Sequence, residues 1–387
     1  MAVADAIVIG LGAMGSAAAY QLARRGATVL GIDRFSPPHE HGSSHGETRI
    51  TRQAIGEGEN YVPLVMRAHE IWREIEVETG EELLVQCGGI VLAAPRAAHP
   101  IKTAFMDQTI AVAERHAIPH ELLSAAEVRA RFPQFIVEEE RAYFEPGAGF
   151  VYPERAIAAQ LRLAERAGAT LRTNEIVTAI KPSGSGVRVE TDKGVYEAGR
   201  AILSAGAWSP GLAGPPLGHM ALHRQVLNWY AAENPADYAP GRFPVFIWLR
   251  GSDGEQSYGF PIPPGSEGLK VATESYEPAS ASPEEIDRAV SPAETAATYS
   301  AHVAGRLRGV SGMCLKAKAC LYTLAPDSRF VIDAHPENER LTIVSACSGH
   351  GFKHSAAIGE AVAERTLEGR SRFDLSGFRV PERLYAA

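Results

Sequence analysis

The first apolar run, Ala6-Ile7-Val8-Ile9, is short and rich in β-branched residues and is closed by Gly10, which predicts a buried strand. Gly10-Leu11-Gly12-Ala13-Met14-Gly15 follows. A helical pattern then runs over about residues 13–25 and stops at Gly26, a residue type suited to closing a helix. Thr28-Val29-Leu30-Gly31-Ile32-Asp33 predicts the next strand and completes a strand–turn–helix–strand unit. Two later stretches repeat the strand-into-glycine pattern. Ala201-Ile202-Leu203-Ser204 leads into Ala205-Gly206-Ala207-Trp208, and residues 341–345 lead into Ser348-Gly349-His350-Gly351 and a helix to about Leu367. Strand ends of this kind are where α/β sheets bind ligands.

The texture changes over residues 86–146 and 219–317, which are richer in proline and isolated strands. Ser291-Pro292-Ala293-Glu294 combines a capping box with proline at the first helical position and predicts a helix start. Ser183-Gly184-Ser185-Gly186 predicts a hairpin loop between residues 176–180 and 187–190. The expected fold is α/β with an α+β insert. Residues 1–85, 147–218 and 318–387 form a discontinuous Rossmann-like dinucleotide domain. Residues 86–146 and 219–317 form an interleaved substrate domain on a mostly antiparallel sheet.

Composition narrows the function classes. A chain of 387 residues can bury its cores without disulfides or a structural metal. The net charge of -8 argues against a basic nucleic-acid footprint. Cys87, Cys314, Cys320 and Cys347 are scattered and form no C-x-x-C pair, so neither a disulfide framework nor a metal site is expected, and a reducing, cytoplasmic compartment is. No apolar run reaches the roughly 18 residues of a membrane span. Met1-Ala2-Val3-Ala4-Asp5 lacks the pattern of a signal peptide, and Leu384-Tyr385-Ala386-Ala387 carries no lipidation or peroxisomal motif.

The glycines at 10, 12 and 15 have distinct expected tasks. Gly10 permits a tight turn, Gly12 lets the backbone approach a pyrophosphate, and Gly15 lets the helix sit close to the strand. The helix start offers free N–H groups to the phosphates. Asp33, at the end of the second strand, is placed to accept hydrogen bonds from a ribose. The motif does not separate NAD from FAD, which both use it.

Further blocks do. They are Gly42-Ser43-Ser44-His45-Gly46-Glu47-Thr48-Arg49-Ile50-Thr51-Arg52 with Gly56-Glu57-Gly58 and Tyr61-Val62-Pro63; Arg224-Gln225-Val226; Tyr258-Gly259-Phe260-Pro261 with Gly268-Leu269-Lys270; and Cys320-Leu321-Tyr322-Thr323-Leu324-Ala325-Pro326-Asp327 with Phe330-Val331-Ile332-Asp333 and Ser348-Gly349-His350-Gly351-Phe352-Lys353. In this order the blocks span nearly the whole chain. The sequence resembles the monomeric sarcosine oxidase family, which includes N-methyltryptophan oxidase and is a branch of the D-amino-acid-oxidase-like flavoproteins.

The resemblance implies an FAD enzyme that oxidises a secondary or N-methyl amino acid and passes the electrons to dioxygen, acting as a monomer on a small amine. It assigns the substrate carboxylate to Arg52 and Lys353, and Arg49 to a place over the flavin. A planar guanidinium suits a carboxylate because it binds bidentately. The three-residue spacing of Arg49 and Arg52 would put both on one side of a helical turn. Tyr258, Tyr322 and Ile247 are expected around the substrate, and His45 near the flavin. Lys270 is expected beside dioxygen: a fixed ammonium at about 4 Å and an effective dielectric near 20 contributes about 4 kcal/mol to a developing anion. That is about a thousandfold in rate if realised only after electron transfer. Cys320 matches a cysteine that attaches covalently to the flavin.

Ser43, Thr48, Val177, Ala205, Gly206, Trp208, Gly349, His350, Gly351 and Phe352 are expected along the cofactor, with the N–H groups of the glycine turn near the flavin pyrimidine edge. One position departs from the family. Glu274 stands where sarcosine oxidases carry a histidine, with short insertions between Phe246 and Tyr258 and before Gly268. A carboxylate there favours an extra cationic group on the substrate. Trp229 and Trp248 are further candidates for the pocket wall. An FAD dehydrogenase with another electron acceptor, an NAD-dependent dehydrogenase and a non-catalytic flavin-binding protein remain as alternatives.

Overall fold

The computed structural model describes residues 4–94, 100–184, 186–250, 256–274, 278–280 and 282–380. The expectations for both chain ends, for Ser185 and for residues 251–255 of the first insertion lie outside these residues.

Ala4–Ile9 is covered on both faces, which is why it reads as a nearly unbroken apolar run. It pairs in parallel with Val195–Leu203 on one side and with Val29–Ile32 on the other. Thr170–Arg172 extends the parallel sheet beyond Val29–Ile32, and Asn338–Ser345 extends it beyond Val195–Leu203. The predicted hairpin is present as Val177–Ser183 and Gly186–Thr191, antiparallel. Helices Ala13–Ala23, Val62–Thr79, Pro153–Arg166 and Ser355–Glu368 bury their apolar residues in one shared core. The close approach of the first and last helices needs Gly359: a Cβ there would lie 2.4 Å from the Ala17 Cβ. The helix after Ser291 forms as Pro292–His302, with both hydrogen bonds of its capping box.

A second, larger sheet runs through Ala221–Ala232, Leu269–Thr273, Gln256–Gly259, Val245–Leu249, Gly89–Ala93, Arg141–Glu145 and Glu121–Leu123. All of these pairings are antiparallel except Val245–Leu249 with Gly89–Ala93. Val310–Leu324 lies along the other side of Ala221–Ala232. It runs unbroken through positions 317 and 318, where a domain boundary was expected, so Cys320 and Tyr322 belong to this sheet.

Side chains alternate across a sheet, and residues paired in register share a face. Trp229 pairs with Lys270, Gln225 with Cys320, Tyr258 with Ala272 and Ile247 with Tyr258. These positions therefore share one face of the larger sheet. Phe246 and Trp248 point the other way, into an aromatic core with Phe135 and Phe243. A small third sheet of Arg49–Thr51, Gly149–Val151 and Leu84–Val85 carries Arg49.

Candidate functional site

One continuous cavity of about 400 Å³ begins at the glycine turn of the first strand and ends on the inner face of the larger sheet. At its start Gly10 has φ +84°, and a Cβ there would lie 2.6 Å from the Ser204 carbonyl oxygen. A Cβ on Gly15 would sit 1.7 Å from the Gly10 oxygen, whereas Gly12 faces open space. Gly12 caps the helix without a side-chain hydrogen bond, so the first helical N–H groups are offered to a ligand. Asp33 is fixed by accepting from the N–H of Leu11 at 2.7 Å and of Phe35 at 2.8 Å. Ser43, Val177, Ala205, Gly206 and Trp208 line the middle of the cavity, followed by Gly349, His350, Gly351 and Phe352. A tight glycine turn, an open Gly12 and a buried carboxylate along one cavity fit a dinucleotide.

The far end gathers Arg49, Arg52, Ile247, Tyr258, Glu274, Tyr322 and Lys353. The helical turn expected for Arg49 and Arg52 is absent. Arg49 begins the strand Arg49–Thr51, whose hydrogen bonds to Gly149–Val151 extend the backbone, and Arg52 follows the strand end. Both nevertheless reach the cavity.

Arg52 donates to Glu57 Oε2 at 2.5 Å and to the Ala54 carbonyl, and stands over the Phe105 ring at 5.0 Å. Lys353 Nζ donates to the His350 carbonyl at 2.8 Å and lies 3.8 Å from Glu57 Oε1. His350 Nδ1 is 4.0 Å from the same oxygen, and its ring stacks on Phe330. Burial works to raise the Glu57 carboxyl, but Arg52, Lys353 and His350 outweigh it and hold the group well below the usual carboxylate range. Burial pulls Lys353 down to about 8 against the pull of Glu57, and holds His350 at about 4, neutral at pH 7. The N–H groups of His350 and Gly351 do not point freely into the cavity as expected. Both are donated to the Cys347 carbonyl, at 3.0 and 2.8 Å, which closes the turn.

Lys270, His45, Thr48, Cys320 and Gly15 stand behind the cavity wall and do not line it. Lys270 is buried and donates to the carbonyls of Gly46 and Thr48 at 2.7 Å each and to Thr48 Oγ1 at 3.1 Å. Its ammonium lies 4.2 Å from the Phe260 ring centroid. Burial, with Arg49 beside it, pushes its pKa well below that of an ordinary lysine. His45 is equally buried and is held at about 3 by burial, then by Arg49 and Lys270, so it is a neutral imidazole.

Cys320 is buried, and its thiol lies 3.4 Å from both the Ser43 carbonyl and Arg49 Nη2. Burial pushes this thiol up, with Arg49 opposing. The Tyr258 and Tyr322 hydroxyls are 3.1 Å apart, and burial raises both, so they stay protonated. Glu274 closes the same corner: its Oε1 lies 3.9 Å from where a Cβ on Gly349 would stand. Trp229 packs behind with Leu227, Ala272 and Cys320, while Trp248 belongs to the distant aromatic core.

Four site residues escaped the sequence reading. Glu57 was visible only as an acid between two glycines, and Glu47 only inside the Gly46–Arg49 block. Glu154 follows Pro153 at a helix start, where an acid is ordinarily a dipole partner. Gln256 lines the cavity from a strand edge and carried no signal.

Comparison with known proteins agrees with this geometry. The family model described as FAD dependent oxidoreductase matches residues 5–365. A monomeric sarcosine oxidase of Streptomyces avermitilis is 40% identical, over 99% of this chain and 98% of that protein. An N-methyl-L-tryptophan oxidase of Yersinia pestis is 36% identical, over 97% and 98%. Among solved structures, NikD, described as an unusual amino acid oxidase essential for nikkomycin biosynthesis, superposes with a TM-score of 0.83 at 23% identity over 98% of each chain. An L-proline dehydrogenase from P. horikoshii gives 0.82 at 21% identity, over 97% and 96%, and shares the fold. The chain belongs to the FAD dependent oxidoreductase family, in the group that holds the monomeric sarcosine oxidases and N-methyl-L-tryptophan oxidases.

Proposed function

We propose that this protein oxidises the carbon–nitrogen bond of a secondary or N-methyl amino acid and uses dioxygen as the final electron acceptor. The observation that carries this reading is the ion cluster of Arg52, Lys353 and Glu57. Two buried cations share one internal carboxylate at the end of the cofactor channel. A substrate carboxylate that displaces Glu57 finds a guanidinium fork and an ammonium already in place, which lowers the ordering cost of binding. The two relatives named above act, by their names, on sarcosine and N-methyl-L-tryptophan, which share the N-methyl amino acid unit.

FAD, when bound, accepts the electrons of the carbon–nitrogen bond. The protein's part is orientation. With the carboxylate on Arg52 and Lys353, the amine falls toward Tyr258 and Tyr322, whose protonated hydroxyls serve as hydrogen-bond partners and not as bases. The amine must bind neutral, because its lone pair drives the transfer. The imine product hydrolyses in water, and an N-methyl substrate releases formaldehyde and the primary amino acid. Hydrogen peroxide forms on the Lys270 side, where Arg49 and the ammonium favour negative charge on oxygen. Cys320 is the residue we assign to a thioether with the flavin. Acid-precipitated protein should then stay yellow, and Cys320→Ser should release the colour into the supernatant.

The four free thiols support a reducing, cytoplasmic setting, and the name of the Streptomyces relative supports a monomer. No helix among the described residues is long and apolar enough to cross a membrane. The parallel sheet serves as the cofactor domain and the larger sheet as the substrate domain. The test is anaerobic bleaching of the flavin band against a panel of secondary and N-methyl amino acids, including cationic ones. Rapid bleaching by one class of the panel is expected. A yellow protein that no member bleaches would overturn the reading.

A further inference from the structure

We propose that Glu47 is a positioning residue for Lys270, holding the backbone clamp that fixes the lysine's ammonium. The inference rests on reading Lys270 as the cation on the dioxygen side.

Glu47 has φ +72°, a left-handed conformation that a residue with a side chain keeps only where its surroundings enforce it. The carbonyls on either side of it, those of Gly46 and Thr48, both accept from Lys270 Nζ at 2.7 Å. The reversed backbone at Glu47 thus presents two carbonyl dipoles to one ammonium. Two sets of contacts hold it there. Glu154 Oε1, from the helix Pro153–Arg166, accepts from the N–H of Gly46 at 2.6 Å and of Glu47 at 3.1 Å. On the other side the Glu47 carboxylate accepts from Trp229 Nε1 at 2.9 Å, Ser266 Oγ at 2.8 Å and Lys316 Nζ at 2.5 Å.

Trp229 is the register partner of both Lys270 and Lys316 on adjacent strands. The carboxylate therefore ties the loop to the same rows of the sheet that carry the lysine. Glu47 also acts through charge. Burial and Arg49 disfavour the ammonium of Lys270, while Glu154, Cys320 and Glu47 favour it. His45 on the same loop is neutral, and Lys316 is matched by Glu47 itself.

Two variants separate anchorage from charge. Glu47→Gly keeps a residue at ease with positive φ and removes the three side-chain anchors. Glu47→Gln keeps an acceptor and removes the charge. Hydrogen exchange in the apoprotein reads the loop, and reoxidation of photoreduced holoenzyme in air-saturated buffer reads Lys270 without needing a substrate. For Glu47→Gly we expect exchange over residues 46–49 to rise and reoxidation to slow by about tenfold, with no further slowing in a Lys270→Met background. For Glu47→Gln, which keeps an acceptor, we expect less slowing than in Glu47→Gly, and activity lost at a lower pH than in wild type as pH rises.

Reoxidation within about twofold of wild type in Glu47→Gly, or equal slowing with and without Lys270, would overturn the inference. The underlying reading fails separately. A Lys270→Met enzyme that reoxidises at the wild-type rate removes the dioxygen role of Lys270 and this inference with it. A slow Lys270→Met beside an unaffected Glu47→Gly removes the inference alone.

Discussion

Lys353 and Lys270 are both buried beside the same cavity, yet their ammonium groups are held in opposite ways. Lys353 comes from the turn after the Asn338–Ser345 strand and faces an anion, Glu57, which it shares with Arg52. Lys270 comes from the larger sheet, and its hydrogen-bond partners are neutral oxygens of Gly46 and Thr48. A cation that shares an internal carboxylate is partly compensated and is ready to exchange that partner for a ligand carboxylate. An ammonium held by dipoles has no anion at contact distance, and its field acts on charge that appears only during the reaction. The first arrangement suits binding and the second suits electron transfer to oxygen.

The contrast can be broken at either end. The largest effect is expected from Lys270→Met. Reoxidation by dioxygen should fall by about a thousandfold, while anaerobic flavin reduction by the substrate changes by less than about tenfold. Stopped-flow measurement of the two half-reactions checks it, and equal slowing of both would erase the division of labour. Arg52→Gln should do the reverse. Truncating one partner of a hydrogen-bonded charge pair buried on binding costs about 2–5 kcal/mol, so the second-order rate of flavin reduction should drop by about a hundredfold or more, with reoxidation unchanged.

The pH dependence sharpens the comparison with a smaller effect. Lys353 has its pKa lowered to about 8, so its contribution to carboxylate binding is complete well below that pH and lost as pH rises through it. The substrate Kd should therefore weaken above about pH 8, by up to about tenfold. The limiting reduction rate should move in the opposite direction, because the reacting amine must be neutral. A Kd flat from pH 7 to pH 10 would remove Lys353 from the binding site.

The sequence disclosed the parts of this site that depend on short-range pattern. The strand, glycine turn and helix over the first residues, with Asp33 behind them, form a local unit whose spacing states its geometry. Cys320 and Lys353 stood in equally compact blocks. The helical turn for Arg49 and Arg52 failed because strand pairing with Gly149–Val151, about a hundred residues away, overrode the local spacing. The boundary expected after residue 317 failed to separate the sheets for a similar reason: Val310–Leu324 is one long strand that pairs with Ala221–Ala232 continuously from Lys316 to Leu324, across the expected boundary.

The two ways of holding a lysine were not legible at all. Lys270 meets the 46–48 loop more than two hundred residues away. Beyond its local pair with Arg52, Glu57 meets Lys353 and His350 because the turn after the Asn338–Ser345 strand delivers them to it. Register across distant segments decides both, and no local periodicity records it.

The most direct test of a carboxylate-anchored amine oxidation compares an N-methyl amino acid that bleaches the flavin with its decarboxylated amine under anaerobic conditions. The expected result is bleaching by the amino acid at a second-order rate at least about a hundredfold above that of the amine, with the difference collapsing in Arg52→Gln. Equal bleaching by both compounds in the wild-type protein would contradict the assignment of Arg52 and Lys353 to the substrate carboxylate.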